Sequence, residues 1–277
     1  MKRCIHAWGS SDVGMKRDHN EDSYLMAPDL RLYIVADGMG GHAGGELASG
    51  LAVSTIETHV RRHRAMVDTA TSHPEPIGHS PVGSLLSDAV RGACNAVHSK
   101  AEQQPELRGM GTTTTALLFH DQHAFVGHVG DSRAYLVRDG QILQLSEDHS
   151  LVNEQVKAGL ITEAQARVSR FKNIITRSIG IDVDVEVDIV AVEVKAGDAF
   201  LLCSDGLSNL VSDAEICDVV HDNFLHLIPG LLIELGNSRG GDDNNTVIVS
   251  YVTDDDGSGW QDDAATVFGG AAHPNEL

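Results

Sequence analysis

The 277-residue sequence is short of several things, and each shortage closes off a class of protein. Basic residues are scarce: 20 Lys and Arg face 40 Asp and Glu, for a formal net charge of −20. A chain that neutralises nucleic-acid phosphates needs clustered Lys and Arg, and one that docks on anionic lipid needs the same. Neither partner is expected. Cysteine is limited to Cys4, Cys94, Cys203 and Cys217. No two form a CxxC pair and no histidine spacing completes a zinc site, so reduced thiols in a cytosol fit better than a disulfide framework. No run reaches the roughly 18 apolar residues of a membrane span. The opening MKRCIHAWGSSD has no apolar stretch of signal-peptide length, and a soluble, cytoplasmic protein is expected. Aromatic residues make up 4% of a chain that is 42% hydrophobic, so aliphatic packing must build the core.

What is present reads as one domain over 1–253 and an acidic, Gly- and Ala-rich tail over 254–277, expected to be disordered. Residues 31–36 (RLYIVA) read as a buried strand. Leu47, Leu51, Val53, Ile56 and Val60 fall at helical spacing within 45–63, and 83–103 repeats the pattern. Between them, 64–82 holds Pro74, Pro76, Pro81 and scattered His, and reads as a loop. Strands follow: 112–120 and 123–130 flank Asp121-Gln122, and 133–146 contains Asp139-Gly140, a strong hairpin signal. Residues 149–170 turn helical, with Gly159 as a break. VEVDIVAVEV (185–194) alternates like a half-buried strand, AFLLCS (199–204) is a buried one, and NTVIVSYV (245–252) is the last. Residues 213–238 read as two helices broken near Pro229-Gly230. Hairpins grouped between helices, without βαβ alternation, predict an α+β layering with antiparallel sheets.

Acidic residues recur where buried apolar runs end. LYIVADG ends in Asp37, AFVGHVGD in Asp131 and FLLCSDG in Asp205, while GGDDNNTVIV puts Asp242 and Asp243 just ahead of the last strand. Strand ends hold side chains rigidly yet accessibly, and a neighbouring glycine lets a ligand or another backbone approach. If these ends meet, several carboxylates repel one another and bound cations relieve the repulsion. All-oxygen ligation points to Mg²⁺ or Mn²⁺, and a pair of such ions suits phosphoryl chemistry. HNED (19–22) adds Glu21 and Asp22, and Arg17 is a candidate for gripping a phosphate.

These strings together resemble the bacterial form of the metal-dependent (PPM, or type 2C) serine/threonine protein phosphatases. The match runs through SDVGMKRDHNEDS, VADGMGGHAGGELAS, GMGTTTTAL, VGDSRAYL, DHSLV, ITRSIG, LLCSDGL and DDNNTVIV, in the family's order over residues 9–252. The resemblance implies a four-layer α-β-β-α sandwich, two antiparallel β-sheets flanked by helices, with metals at one end. It implies that Asp37 bridges two ions, with the Gly38 carbonyl and Glu21 on one and Asp205 and Asp243 on the other. Asp131 with Asp205 would form a third position, Asp22 would orient a water, and Arg17 would hold the phosphate. Asn244 and Thr246 would shape the Asp243 loop, and 149–175 would be the flap beside the site. Met39 stands where many eukaryotic members carry a histidine after the bridging Asp-Gly, so His42, three residues on, becomes a candidate general acid, with a metal-bound water as the equal alternative. The implied activity is hydrolysis of phosphoserine and phosphothreonine on proteins, opposing a Ser/Thr kinase. A non-catalytic phosphoprotein-binding module of the same fold is the other reading. In the tail, QDDAATVFGG resembles acidic threonine motifs read by forkhead-associated domains, which makes Thr266 a candidate phosphosite.

Overall fold

A computed structural model describes residues 3–40, 43–65 and 80–254. The chain alternates at the level of whole blocks. Strands β1 (Arg3–Asp12), β2 (Asp22–Ala27) and β3 (Leu32–Met39) precede helices α1 (Ala43–Arg62) and α2 (Pro81–Gln103). Five strands follow: β4 (Gly111–Thr112), β5 (Thr114–His120), β6 (His123–Val129), β7 (Arg133–Arg138) and β8 (Gln141–Gln144). Short helices α3 (Leu151–Lys157) and α4 (Glu163–Arg167) lead to β9 (Asp188–Glu193) and β10 (Ala199–Cys203). Helices α5 (Asp205–Ser208), α6 (Asp213–Asp222) and α7 (Ile228–Ser238) precede β11 (Asn245–Asp254). One sheet has the order β1-β11-β10-β7-β8, the other β2-β3-β5-β6-β9 with β4 on β3, and the pairs are antiparallel.

Strand periodicity explains the layering. In β3, Tyr33 and Val35 point between the sheets, where they meet Leu117, Phe119, Phe200 and Ile248. Leu32, Ile34 and Ala36 point the other way, onto Ile56, Leu86 and Val90 of α1 and α2. A strand covered on both faces reads as an unbroken apolar run, which is why RLYIVA was legible. Phe119 supplies the aromatic joint of the inter-sheet layer, edge-on to Tyr33 at 5.9 Å and to Phe200 at 5.2 Å. On the far side, Leu201, Tyr135 and Val249 pack on Ile216, Val220 and Leu232 of α6 and α7. The expected four-layer sandwich is therefore the observed one.

The Asp139-Gly140 turn joins β7 to β8 with both residues at positive φ, 52° and 71°, the backbone of a two-residue type I′ hairpin. Two boundaries differ from expectation. The break in 213–238 falls at residues 223–227, and Pro229 lies inside the first turn of α7. A proline there loses only an N–H that has no partner in the helix, so it starts helices as readily as it stops them. Pro81 opens α2 in the same way, which shortens the expected loop at its far end. Among the described residues, no helix is long and apolar enough to cross a membrane. Asp254 closes β11 and pairs with Arg3; Thr266 and the rest of the tail lie outside the described residues, as does His42.

Candidate active site

The three strand-end aspartates do meet. Antiparallel pairing of β2 with β3 puts Asp22 opposite Asp37. The Asp37 backbone is clamped on both sides: its N–H donates to the Thr113 hydroxyl at 2.9 Å, and its carbonyl accepts from the Thr113 N–H and the Thr112 hydroxyl, each at 2.9 Å. The Gly38 N–H donates to the Glu21 carbonyl at 3.1 Å. A side chain at Gly38 would place Cβ 2.2 Å from the Gly45 carbonyl oxygen, so only glycine lets α1 start against this strand. Asp131 follows β6 after Gly130, which turns at φ 116° with Thr113 too close for any Cβ. Asp205 stands at the first position of α5, directly after β10.

The loop between β1 and β2 delivers Arg17 and Glu21, and Asn244 fastens it. The Asn244 side chain accepts from the Glu21 N–H at 2.8 Å and donates to the carbonyls of Val13 and His19, both at 2.9 Å. Thr246 does something other than shape its own loop. Its hydroxyl donates to Asp22 Oδ2 at 2.6 Å, beside a second donor, the Ser204 hydroxyl, at 2.8 Å.

Electrostatically, these groups are held under strain. Burial first, and then the charges of Asp22, Asp205, Asp131 and Asp243, push the Asp37 carboxyl well above the usual range. Asp131 is raised by burial and then by Asp205 and Asp148. Asp205 is pushed up to about 6, by burial and then by Asp243. Asp22 is pushed up to about 7 by burial, which outweighs its two hydroxyl donors. One oxygen each of Asp22, Asp131 and Asp205 is buried with no hydrogen-bond partner. Buried acceptors left bare are costly, and divalent cations satisfy both the oxygens and the repulsion. The donor set fits such ions: all oxygen, spread around a cleft. Among the described residues, no three His, Cys, Asp or Glu side chains close on a single point. Mg²⁺-like ions take one or two carboxylates each and keep several waters.

Arg17, Glu21, Asp37, Gly38, Asp131, Asp205 and Asp243 all line one cleft of about 510 Å³. Asp22 stands behind this lining, 8% exposed. Arg17 donates to Asp243 Oδ2 at 2.6 Å, at the cleft's edge. His19 also lines the cleft; the sequence reading took only the acids from HNED.

A supporting network behind the cleft was not foreseen. His149 Nδ1 accepts the Gly130 N–H at 3.0 Å, so its Nε2 carries the proton and donates to Asp188 Oδ2 at 3.1 Å. His128 lies 4.9 Å away ring to ring, with Nε2 donating to the Glu147 carbonyl at 3.0 Å and the Thr115 hydroxyl 3.0 Å from Nδ1. Burial, and then the neighbouring His149, lower His128 to about 4, so both rings serve as neutral scaffolding. His149 also starts the flap. Ser150 bridges to Ile175, the Leu151 N–H donates to Ile174 and the Thr176 N–H to His149, which pins both ends of that segment beside Asp131.

Residues 15–228 match the family profile described as protein phosphatase 2C. The chain is 39% identical over 234 residues to the serine/threonine protein phosphatase PstP of Mycobacterium tuberculosis, which covers 83% of this chain and 42% of that protein. It therefore spans less than half the length of that relative. It is 37% identical over 235 residues to the protein phosphatase PhpP of Streptococcus pneumoniae, covering 83% of this chain and 91% of the other. Among solved structures, the catalytic domain of PstP in complex with two manganese ions superposes with a TM-score of 0.76 at 37% identity, over 91% of this chain and all of that one.

Proposed function

Because the chain belongs to the protein phosphatase 2C family, we propose that it hydrolyses phosphoserine and phosphothreonine monoesters on proteins, with Mn²⁺ or Mg²⁺ as cofactor. The observation that carries this reading is the convergence of Glu21, Asp37, Asp131, Asp205, Asp243 and Arg17 on one cleft, with bare buried oxygens among the acids. Asp37, Glu21, the Gly38 carbonyl, Asp205 and Asp243 would hold a pair of ions between them. Asp131 with Asp205 is assigned to a third position. When bound, the ions supply a water acidic enough to serve as nucleophile near neutral pH and positive charge for the phosphoryl oxygens.

The chain's own residues do the rest. Arg17 grips a phosphate oxygen from the rim while Asp243 fixes its guanidinium. Asp22, anchored by Ser204 and Thr246, orients the attacking water from behind Asp37. The described cleft lining contains neither Cys nor Ser, which agrees with direct attack by water and no covalent enzyme intermediate. We assign the leaving-group proton to His42, with His19 as the competing donor; pH–rate profiles of His42→Gln and His19→Gln decide between them.

The partners that follow are phosphorylated proteins in the cytosol, a Ser/Thr kinase among them, and a forkhead-associated domain that reads phosphorylated Thr266. Intact-mass analysis after incubation with such a kinase checks the last point, and an unmodified Thr266 removes it. The test of the activity is phosphate release from a phosphothreonine peptide with Mn²⁺ and with chelator. Release that depends on the metal is expected. Metal binding without release would favour a phosphoprotein-binding module.

A further inference from the structure

Beside the reaction cleft lies a second groove of about 490 Å³, and Asp131 and Asp205 line both. Its walls are the flap on one side and the turn from α5 into α6 on the other. Asp131, 7% exposed and with Oδ1 unpartnered, stands at the junction. A segment seated in the reaction cleft therefore has a continuous path into the groove.

The lining has a definite chemistry. Seven carboxylates face three cations, and most of the charges are already matched. Arg133 grips Asp148 through Nε at 3.0 Å and Nη2 at 2.7 Å. Glu215 is held by Arg239, and Glu147 by Lys157. Glu163 and Arg167, of opposite charge, stand at i and i+4 on α4. Lys172 lies within the electrostatic reach of Asp205 and Asp242, toward the reaction cleft.

Asp213 is left over. It accepts the Tyr135 hydroxyl at 3.1 Å, but its nearest cation, Arg133, is 3.7 Å away and already committed to Asp148. Its side chain is 39% exposed. Val152, Val156, Leu210 and Val211 supply an aliphatic wall in the same groove. An apolar wall beside an incompletely paired carboxylate fits a side chain with an aliphatic stem and a cationic head. An acidic side chain would meet like charge there. Ions in the reaction cleft would neutralise Asp131 and Asp205 but leave Asp213 as it is.

We propose that Asp213 is a specificity-determining residue: the groove receives a Lys or Arg side chain of the substrate, so phosphothreonine or phosphoserine with a basic residue nearby in sequence is preferred. The inference rests on the phosphatase reading above. The test uses phosphothreonine peptides matched except for a Lys, Gln or Glu scanned on either side of the phosphoresidue, with para-nitrophenyl phosphate as a substrate too small to reach the groove. At one or more scanned positions, kcat/KM should favour Lys over Glu by roughly fivefold, as for a partly exposed ion pair. Asp213→Asn, which can keep the Tyr135 contact, should erase that preference and leave para-nitrophenyl phosphate turnover unchanged. Asp213→Lys should invert it. Equal rates for Lys and Glu peptides at every position, or an equal loss on all substrates in Asp213→Asn, overturns the proposal. Fluorescence anisotropy of the same peptides on Asp37→Asn with Mn²⁺ separates the two readings. A Lys preference in binding, with no turnover by the wild type, would sink the phosphatase reading and support the groove. No preference in binding would sink the groove alone.

Discussion

Strand β10 has an aspartate just beyond each end, and the chain treats the two in opposite ways. Asp198, before the strand, is 1% exposed and fully engaged. Arg138 reaches both of its oxygens, through Nε at 2.6 Å and Nη2 at 2.7 Å, and the Lys195 N–H donates to it at 2.7 Å. Asp205, after the strand, has one oxygen on the Asn209 amide at 3.0 Å and the other buried and bare. Its near neighbours are other carboxylates. The same short strand shows that this protein can satisfy a buried carboxylate when the task is structural. The bare oxygens at the other end are thus a local sacrifice of stability, of the kind that marks a site completed by a ligand.

That contrast can be broken from either end. The largest effect is expected from Asp37→Asn, which should cut Mn²⁺-dependent turnover by roughly 10³-fold or more. The same change should raise stability in chelator by about 1 kcal/mol, because it removes repulsion; wild-type-like rates at saturating Mn²⁺ would end the assignment of Asp37 to the ions. Asp198→Ala should do the reverse, costing about 2–3 kcal/mol in chemical denaturation by stranding Arg138, with kcat untouched. Mn²⁺ at 100 times its Kd should stabilise the wild type by about 2.7 kcal/mol over chelator, and this gain should grow with pH. Asp22 and Asp205 titrate near 7 and 6 in the fold, above ordinary carboxylates. Their contribution is therefore full below about pH 4 and lost as pH rises through 6 to 7. Thermal melts in chelator should fall between about pH 4 and pH 7, and melts with Mn²⁺ should not. The smallest effect is expected at the rim, where Arg17→Ala should raise KM about tenfold with a lesser effect on kcat, the worth of one charge-assisted hydrogen bond.

The half of the site that comes from strand ends was legible because two signals coincide there. A long apolar run says buried strand, and Asp-Gly says abrupt end, so Asp37 and Asp205 could be picked out by inspection. The supporting hydroxyls could not. Ser204 and Thr246 lie 42 residues apart in sequence and meet only through the pairing of β10 with β11. Neither residue has a spacing that announces a partner. His149 is similar: nothing near it in sequence points to Gly130 or Asp188. Strand β1 went unrecognised because every residue in RCIHAWGSSD is half-buried, with no alternation to read. It is the sheet's edge, paired along its whole length with β11, and only Ile5, Ala7 and Trp8 lean on the cores, each partly. The misplaced break at Pro229 has another cause: a proline signals a boundary without saying which side of it the helix lies on.

The flap leaves and re-enters the fold at adjacent points, with Ser150 bridged to Ile175 and the Leu151 and Thr176 amides bonded across the same gap. A segment closed at its base is an interchangeable cassette. Its length can change at small cost, since doubling a loop adds only about 0.6 kcal/mol of closure entropy, provided Lys172 and Asn173, which reach the cleft, are kept. Descendants of this chain could take up new targets by replacing residues 152–171, keeping one carboxylate cleft under a succession of different lids.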